Sequence, residues 1–295
     1  MKLTETSREE VEGATRHAVQ RARVAPDIAR SWLLVPATKP EAFDSAVASR
    51  ADAVILDIED AVDPLLKPQA RHDVVDWLRS GGRAWVRIND RTTSFWADDL
   101  AELRGLENLL GIVLAKTESA EEVVETSATL GGDTPVIPLV ESAIGIEEAA
   151  SIAKAAGAFR LAFGSGDFRR DTGMSAEPEA MAYPRARLVV ASRVGRLPGP
   201  IDGPTVGSSL PHLREHSAIT VAMGMTGKLA LTPEQTHAIN EVISPTPTDV
   251  AWALEFLDDF ESRGSVVRDG SDLPRLARAQ KIEKLARAFG VPLVR

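Results

Sequence analysis

Two acidic residues, Glu141 and Asp167, each follow a short apolar run that is typical of a buried strand. The runs are Pro135–Val140 and Phe159–Phe163, and a segment with helical spacing, Gly145–Ala156, lies between them. Two parallel strands joined by a crossover helix end at the same edge of a sheet, about 4.8 Å apart. A divalent cation relieves the repulsion between two carboxylates that are this close. The pattern therefore predicts a metal site on an α/β scaffold.

Charged residues also follow the three preceding strand-like runs. The second strand ends in Asp57-Ile-Glu-Asp60, and these acids either belong to the site or lie in a solvated loop and cap the next helix. Arg87, at the end of the third strand, could bind a substrate carboxylate with two parallel hydrogen bonds or pair with the acids, and the two roles are compatible. Lys116, after the fourth strand, could form a Schiff base with a carbonyl substrate or neutralise the carboxylates. The number of acids favours neutralisation.

These strand ends supply the candidate site residues. Glu141 and Asp167 are the metal-ligand candidates, for Mg²⁺ or alternatively Mn²⁺, because hard oxygen ligands dominate and His and Cys are absent from these loops. The Gly164-Ser-Gly166 segment predicts a tight turn whose backbone N–H groups face an anion, a weak signal. We count Arg87, Glu59 and Lys116 as catalytic candidates, and Arg87, Gly166 and Asp60 as substrate-binding candidates.

Strand-like and helix-like segments alternate along most of the chain. Eight β/α units over about 200 residues predict a closed (β/α)₈ TIM barrel better than an open doubly wound sheet. We expect residues 1–29 to form an N-terminal extension with helical spacing over 7–24. Residues 30–232 should form the barrel, and 233–295 a C-terminal helical arm that packs on a neighbouring subunit or covers the barrel mouth.

The composition is that of an ordinary globular protein. The chain has 295 residues, a net charge of −9 and no cysteine, which argues against a nucleic-acid partner and excludes thiolate metal sites and disulfides. No apolar run approaches membrane-spanning length and no secretory signal is evident, so we expect a cytoplasmic protein without a membrane partner. His212 and His216 have i, i+4 spacing, but no Glu follows His212, and we interpret both as surface or core residues.

Seven strand-end motifs, taken in order, resemble the HpcH/HpaI aldolase and citrate lyase β-subunit family. They are Arg30–Pro36, Ala53–Val62, Val86–Asn89, Lys116–Ser119, Glu141–Gly145, Gly164–Asp167 and Gly227–Pro233. The resemblance runs from about residue 30 to 290. It is nearest to the citrate lyase β-like branch, which includes citramalyl-CoA and malyl-CoA lyases.

The resemblance implies a (β/α)₈ barrel with a C-terminal helical arm, assembled as a homotrimer or hexamer. It implies Mg²⁺ bound by Glu141 and Asp167, with Arg87 binding the carboxylate of the keto-acid product. In the arm segment Arg268–Pro274, Asp272 matches a family residue that reaches into a neighbour's barrel. Asp272 is therefore a catalytic acid/base candidate acting in trans.

The chain departs from the family pattern at two positions near the expected mouth. Thr232 stands where the family usually has His, and Gly166 stands where it commonly has Glu. These two changes leave the metal-ligand candidates in place. They bear on the identity of the substrate.

The resemblance implies a Mg²⁺-dependent carbon–carbon lyase. Such an enzyme cleaves a 3-hydroxy acid thioester of coenzyme A, of citryl, malyl or citramalyl type, to a keto acid such as oxaloacetate and an acyl-CoA enolate. Three alternatives stay open: a citrate lyase β-like subunit that needs an acyl-carrier partner, a metal-dependent aldolase acting on free hydroxy-keto acids, and a Schiff-base aldolase that uses Lys116.

Overall fold

The computed structural model describes residues 24–207 and 209–294, so the predicted N-terminal helix lies outside the described residues apart from Val24. Eight parallel strands close into a barrel in chain order, with the first strand paired to both the second and the eighth. The predicted (β/α)₈ fold is confirmed. The strands are β1 (Ser31–Pro36), β2 (Ala53–Asp57), β3 (Ala84–Ile88), β4 (Leu109–Leu114), β5 (Val136–Val140), β6 (Ala162–Phe163), β7 (Ile201–Asp202) and β8 (Gly227–Ala230).

Helices connect the strands and extend the chain beyond the last one. After a 3₁₀ turn over Pro40–Ala42, they are α1 (Phe43–Val47), α2 (Lys67–Arg79), α3 (Ser94–Leu103), α4 (Ala120–Thr129), α5 (Ala143–Ile152), α6 (Ser165–Thr172), α7 (Ala182–Val194), α8 (Leu210–Ala222), α9 (Pro233–Ile243), α10 (Pro247–Ser262) and α11 (Asp272–Phe289). The connection from β6 to β7 holds two helices, α6 and α7, where the others hold one α-helix each. None of the described helices is long and apolar enough to cross a membrane.

Large side chains from the first residues of the strands fill the bottom of the barrel. Trp32 and Trp85 are both fully buried and meet edge to face, with ring centroids 5.3 Å apart. A Cβ at Gly111 would lie 2.2 Å from the Trp85 ring, so the tryptophan fits only because this position is glycine. The register between β3 and β4 shifts at the same point, since Ala84 pairs with Leu109 and Trp85 with Gly111.

The strands β6 and β7 hold two residues each, and β6 is shorter than the predicted run Phe159–Phe163. A buried arginine lies just before β6. Arg160 donates hydrogen bonds to the carbonyls of Gly199, Pro26 and Ala29 and to the Thr226 hydroxyl. Burial lowers the pKa of Arg160 to about 9. Two register pairs join β5 to β6 and one joins β6 to β7, so the hydrogen bonds of Arg160 add to a sparse strand pairing here.

The chain divides into two compact units, Met1–Ile239 and Asn240–Arg295, with the division inside α9. In the second unit α10 packs against α11. A small apolar cluster of Ala253, Phe256, Phe260 and Ala279 forms its core, and Trp252 stacks on Phe256.

Candidate active site

The carboxyl ends of β2 and β3 hold a charged cluster around Arg87. Asp57 and Arg87 are register partners, and Arg87 donates two hydrogen bonds to the two carboxylate oxygens of Asp57, at 2.8 and 2.5 Å. Its third nitrogen lies 3.3 Å from Glu59 Oε2. Burial lowers the pKa of Arg87, but the charges of Asp57 and Glu59 outweigh this effect and raise the pKa overall. The guanidinium is therefore charged at any physiological pH.

The loop after β2 is shaped by its own acids. Asp57 Oδ1 accepts the backbone N–H of Glu59 at 3.0 Å, and Glu59 Oε2 accepts that of Asp60 at 2.7 Å. The alternative that Asp57 and Asp60 cap the next helix is wrong, since α2 starts after Leu66 without a side-chain cap. Burial raises the pKa of Glu59 to about 6, against the opposing charge of Arg87.

Lys116 neutralises the acids of this loop. Its Nζ lies 2.5 Å from Glu59 Oε1 and 3.1 Å from Asp60 Oδ1. Burial lowers the pKa of Lys116, but the hydrogen bond and charge of Glu59 outweigh burial and raise the pKa overall, so the side chain is an ammonium ion. A Schiff base needs the free amine, and this environment opposes it. Lys116 has a φ of 48°, a left-handed conformation that is costly for a non-glycine residue.

Glu141 lies directly after β5 and is buried. Its Oε1 accepts the backbone N–H of Lys116 at 2.7 Å, which joins the metal-ligand candidate to the charged cluster. Burial raises the pKa of Glu141 to about 8; Arg87 opposes the rise, and Asp167 adds to it. On its other side the carboxylate packs against Gly164, where a Cβ would lie only 2.1 Å from Oε2.

Asp167 lies in the first turn of α6 and not after a glycine turn, so the predicted turn at 164–166 is wrong. Gly164 is the N-cap residue and the helix begins at Ser165. Phe168 anchors the helix by packing edge to face on Phe163, at 5.5 Å between centroids. The Asp167 carboxylate is 23% exposed and pairs with Arg170 at 2.9 Å. Its oxygens are therefore accessible, as those of a metal ligand must be.

The donor set fits a hard divalent cation. Asp57, Glu59 and Asp60 pair with Arg87 and Lys116, and Glu141 lies near enough to Glu59 and Asp167 for the charges of both to raise its pKa. Burial penalises the charge of Glu141, and a cation would offset that penalty. Within residues 24–207 and 209–294 no three His, Cys, Asp or Glu side chains group as metal ligands. Mg²⁺ is typically held by one or two carboxylates and completes its shell with water and substrate oxygens.

A buried network beneath the cluster went unrecognised in the sequence. Lys67, the first residue of α2, donates to the carbonyls of Ile58 and Glu59, at 3.3 and 2.8 Å, and to Asn89 Oδ1. Asp99 of α3 in turn accepts from the side chain of Asn89 at 2.7 Å. Lys67 thus fixes the backbone that carries Glu59. The sequence offers no signal for this role, because a lysine at a helix start normally faces solvent.

A second buried network closes the β7–β8 side. Asp202 accepts from Arg185 at 3.0 Å, from the Thr220 hydroxyl at 2.6 Å, and from Lys228 at 3.4 Å. Burial raises the pKa of Asp202, but Lys228 and Arg185 outweigh it and lower the pKa overall. Lys228, in turn, donates to the Gly203 carbonyl at 2.7 Å. The positive charges of Arg185 and Lys228 thus pair with the Asp202 carboxylate, and the pair Asp202–Lys228 links β7 to β8.

Two further predicted residues, Asp272 and Gly166, have surroundings of their own. Asp272 belongs to the second unit, where its Oδ2 accepts from Arg263 at 2.7 Å and from the backbone N–H of Arg268 at 2.8 Å. The hydrogen bond from Arg263 is the main cause that lowers the pKa of Asp272 to about 2. Gly166 is exposed, and a Cβ there would meet nothing within 4 Å, so no protein atom requires glycine at this position.

A closed parallel barrel with carboxylates and a buried arginine at the carboxyl ends of its strands defines a (β/α)₈ enzyme, since active sites of this fold lie at that face. The model of the HpcH/HpaI aldolase/citrate lyase family matches residues 30–233, and that of the HpcH/HpaI aldolase C-terminal domain matches residues 248–290. The chain belongs to the HpcH/HpaI aldolase/citrate lyase family. It is therefore an enzyme of the carbon–carbon lyase class, as the sequence motifs predict.

Two curated relatives and one solved structure span nearly the whole chain. A citrate lyase subunit beta-like protein of Mycobacterium tuberculosis is 33% identical over 267 residues, covering 86% of this chain and 94% of the relative. An L-malyl-CoA/beta-methylmalyl-CoA lyase of Rhodobacter capsulatus is 30% identical over 305 residues, covering 87% of this chain and 94% of the relative. The M. tuberculosis protein CitE, solved with magnesium, acetoacetate and coenzyme A, superposes with a TM-score of 0.74 at 28% identity. The match covers 90% of this chain and 99% of the CitE chain.

Proposed function

We propose that this protein is a Mg²⁺-dependent lyase that cleaves a 3-hydroxy acid thioester of coenzyme A to a keto acid and an acyl-CoA enolate. The observation that carries the proposal is the joining of Glu141 and Asp167 to Arg87 and Lys116 in one cluster at the barrel mouth. The relatives' activity on malyl-CoA thioesters and the magnesium, acetoacetate and coenzyme A in the related structure support it.

Glu141 and Asp167 would hold the ion, from β5 and from the first turn of α6. When bound there, Mg²⁺ supplies a Lewis acid that withdraws negative charge from the carbonyl and carboxylate oxygens of the keto acid. The hydrogen bond from Lys116 N–H fixes one oxygen of Glu141 and leaves the other for the ion.

The protein's own groups bind and orient the acid. Asp57 takes two parallel hydrogen bonds from Arg87 and so holds the guanidinium in one orientation, and Arg87 binds the substrate carboxylate through its remaining N–H groups. Lys116 and the exposed backbone at Gly166 add positive potential at the same edge. Asp60, which is partly exposed, closes the polar rim around the bound acid.

Cleavage requires a base for the substrate hydroxyl proton. As that proton leaves, the carbonyl of the keto acid forms, the carbon–carbon bond breaks, and its electron pair passes to the thioester as an enolate, which later takes up a proton. Glu59 is a buried carboxylate with a pKa of about 6 and can accept the first proton near neutral pH. Asp272 from a neighbouring copy, in a homotrimer or hexamer, is the second acid/base group we assign.

The test is cleavage of malyl-, citramalyl- and citryl-CoA, followed by release of the keto acid, first with Mg²⁺ and then with excess EDTA. We expect Mg²⁺-dependent release from at least one thioester. Glu141→Ala and Asp167→Ala should lose this activity and keep their fold. Asp171→Asn is the matched control, because Asp171 lies one turn from Asp167 on α6 but accepts the Ala143 N–H at 2.8 Å.

Release that persists in EDTA, or full activity of Glu141→Ala, would overturn the metal assignment. Mg²⁺-dependent binding of oxaloacetate or pyruvate without cleavage of any thioester would replace the proposal with a carrier-dependent subunit or an aldolase acting on free acids. Borohydride trapping of a carbonyl substrate on Lys116 would instead identify a Schiff-base enzyme.

A further inference from the structure

A cavity of about 200 Å³ lies beside the metal-ligand candidates, where the segments after β6 and β7 meet α7 and α8. Ser165 and Gly166, which directly precede Asp167, form part of its wall. The roles proposed above for the metal ligands and for Arg87 do not use this cavity.

The lining of the cavity is cationic. Arg169, Arg185, His212 and His216 contribute to it, and none of its described lining residues is acidic, although the chain as a whole carries a charge of −9. Arg185 is already paired with Asp202 at 3.0 Å, and His212 Nδ1 lies 4.0 Å from Glu215 Oε2, so Arg169 and the two histidines are the groups that can meet a ligand. The two imidazoles lie 4.0 Å apart between ring centroids, close enough for both to contact the same small anion.

Most of the remaining lining is apolar, with Met181, Pro204 and Val206 as its larger contributors, and Ser165 and Thr205 add polar residues. Pockets for drug-sized ligands enclose roughly 300–1,000 Å³, so this cavity suits a smaller molecule and is too small for the nucleotide part of coenzyme A. A bare inorganic anion would leave the apolar wall without a partner. The combination fits a carboxylate on a short apolar body.

We propose that this cavity is a binding site for a short-chain organic acid, whose carboxylate lies among Arg169, His212 and His216 and whose carbon chain packs on Met181 and Val206. His212 and His216 are therefore ligand-binding residues and not the plain surface or core residues that their sequence positions suggest. The acid has two possible sources: a substituent of the substrate that extends from the neighbouring site, or a separate organic acid.

The experiment is isothermal titration calorimetry of the full chain with butyrate and with butanamide, its uncharged counterpart, at about pH 7, where a carboxylate is ionised. We expect butyrate to bind at least tenfold more tightly than butanamide. The double variant His212→Gln/His216→Gln, and separately Arg169→Gln, should weaken butyrate binding tenfold or more. His72→Gln is the matched control, because this exposed histidine lies on α2 and pairs with Asp76.

A second variant tests the cavity without touching a charge. Val206 is 78% exposed, and Val206→Trp places an indole over the apolar wall, which should abolish butyrate binding without lowering the melting temperature. Equal binding of butyrate and butanamide, or unchanged binding in the double histidine variant, would overturn the inference. Competition between butyrate and pyruvate would identify a substrate substituent as the occupant, and simultaneous binding would identify a separate acid; neither readout depends on cleavage activity.

Discussion

The position of Glu141 depends on the absence of a side chain at Gly164, and Gly164→Ala tests this directly. The added Cβ would lie 2.1 Å from Glu141 Oε2 and 2.5 Å from its Cβ, whereas ordinary contacts begin at 3.4 Å. Relief of the contact requires the carboxylate to move by about 1.3 Å, the difference between 3.4 and 2.1 Å. Mg²⁺ demands near-ideal octahedral geometry at about 2.0–2.1 Å, so a ligand displaced by this much no longer binds it.

We expect Gly164→Ala to weaken Mg²⁺ binding at least tenfold, which corresponds to about 1.4 kcal/mol or more. Overpacking of this kind costs about 1–3 kcal/mol of folding free energy, which lowers the melting temperature by about 2–10 °C for a unit of this size. Calorimetric titration of Mg²⁺ and a thermal melt measure the two effects.

Gly166→Ala is the matched control, two residues away. A Cβ there meets nothing within 4 Å, and alanine is the better helix former in the first turn of α6. Its melting temperature and Mg²⁺ affinity should therefore equal or exceed those of the wild type. If Gly164→Ala bound Mg²⁺ as tightly as Gly166→Ala does, Glu141 would not be a metal ligand.

Three further predictions test other parts of the molecule. Arg160→Met removes one donor from each of the carbonyls of Pro26, Ala29 and Gly199, of which the last two keep a second donor, and should lower the free energy of unfolding in urea by about 2 kcal/mol or more; a loss below about 1 kcal/mol would contradict the assigned role. Lys67→Met removes the hydrogen bond to the Glu59 carbonyl, so kcat/KM should fall tenfold or more while the Mg²⁺ affinity stays within twofold. Lys39→Met, at an exposed lysine, is the control. An unchanged kcat/KM would show that Lys67 does not position Glu59. Arg263→Gln removes the main cause of the low pKa of Asp272. In an NMR titration the pKa of the Asp272 carboxyl should therefore rise from about 2 toward the ordinary value of about 4. Because the folded-state pKa of Asp272 is lowered, this contact stabilises the arm above about pH 4 and is lost as the pH falls through 2; an unchanged titration midpoint in the variant would contradict this.

The regular parts of the fold were predictable because local signals agree with tertiary packing. The sequence pattern predicts a strand over Ala84–Ile88 and helices over Lys67–Arg79 and Pro247–Ser262, and β3, α2 and α10 have these bounds. Each of these helices has a proline in its first turn, where the missing N–H costs nothing, and apolar residues recur along the face that packs inward.

The errors have physical causes that leave little trace in the sequence. The helix α6 (Ser165–Thr172) carries one buried apolar residue, Phe168, so it shows no hydrophobic period; its best signal is Gly173, which takes the left-handed C-cap conformation. Arg160, in the part of the predicted run that is not strand, hydrogen bonds to backbone carbonyls of the segments before β1 and β7. Such long-range acceptors are invisible in a sequence.

The candidate site was predictable in its members and less so in their contacts. Strand-end positions singled out Arg87, Lys116, Glu141 and Asp167, because a parallel barrel brings these ends together. The number of acids predicts that Lys116 neutralises carboxylates, but not which of them it contacts, and nothing in the sequence indicates that Lys67 and Asn89 support the loop beneath them. Those contacts depend on side-chain directions set only by the closed barrel.

The strands of the barrel are joined by unequal numbers of residue pairs, so local opening should be easier on one side of the barrel than on the other. Five register pairs join β1 to β2, but one pair joins β6 to β7 and two join β7 to β8, and Arg160 holds this seam together. Hydrogen exchange should therefore reach the amides of β6 and β7 well before those of β1–β4. Asp167 lies in the first turn of α6, which follows β6, while Glu141 directly follows β5. An ion bound by both residues would therefore link β5 to the sparsely paired β6. Addition of Mg²⁺ should slow hydrogen exchange in β6 and β7 more than anywhere else in the barrel.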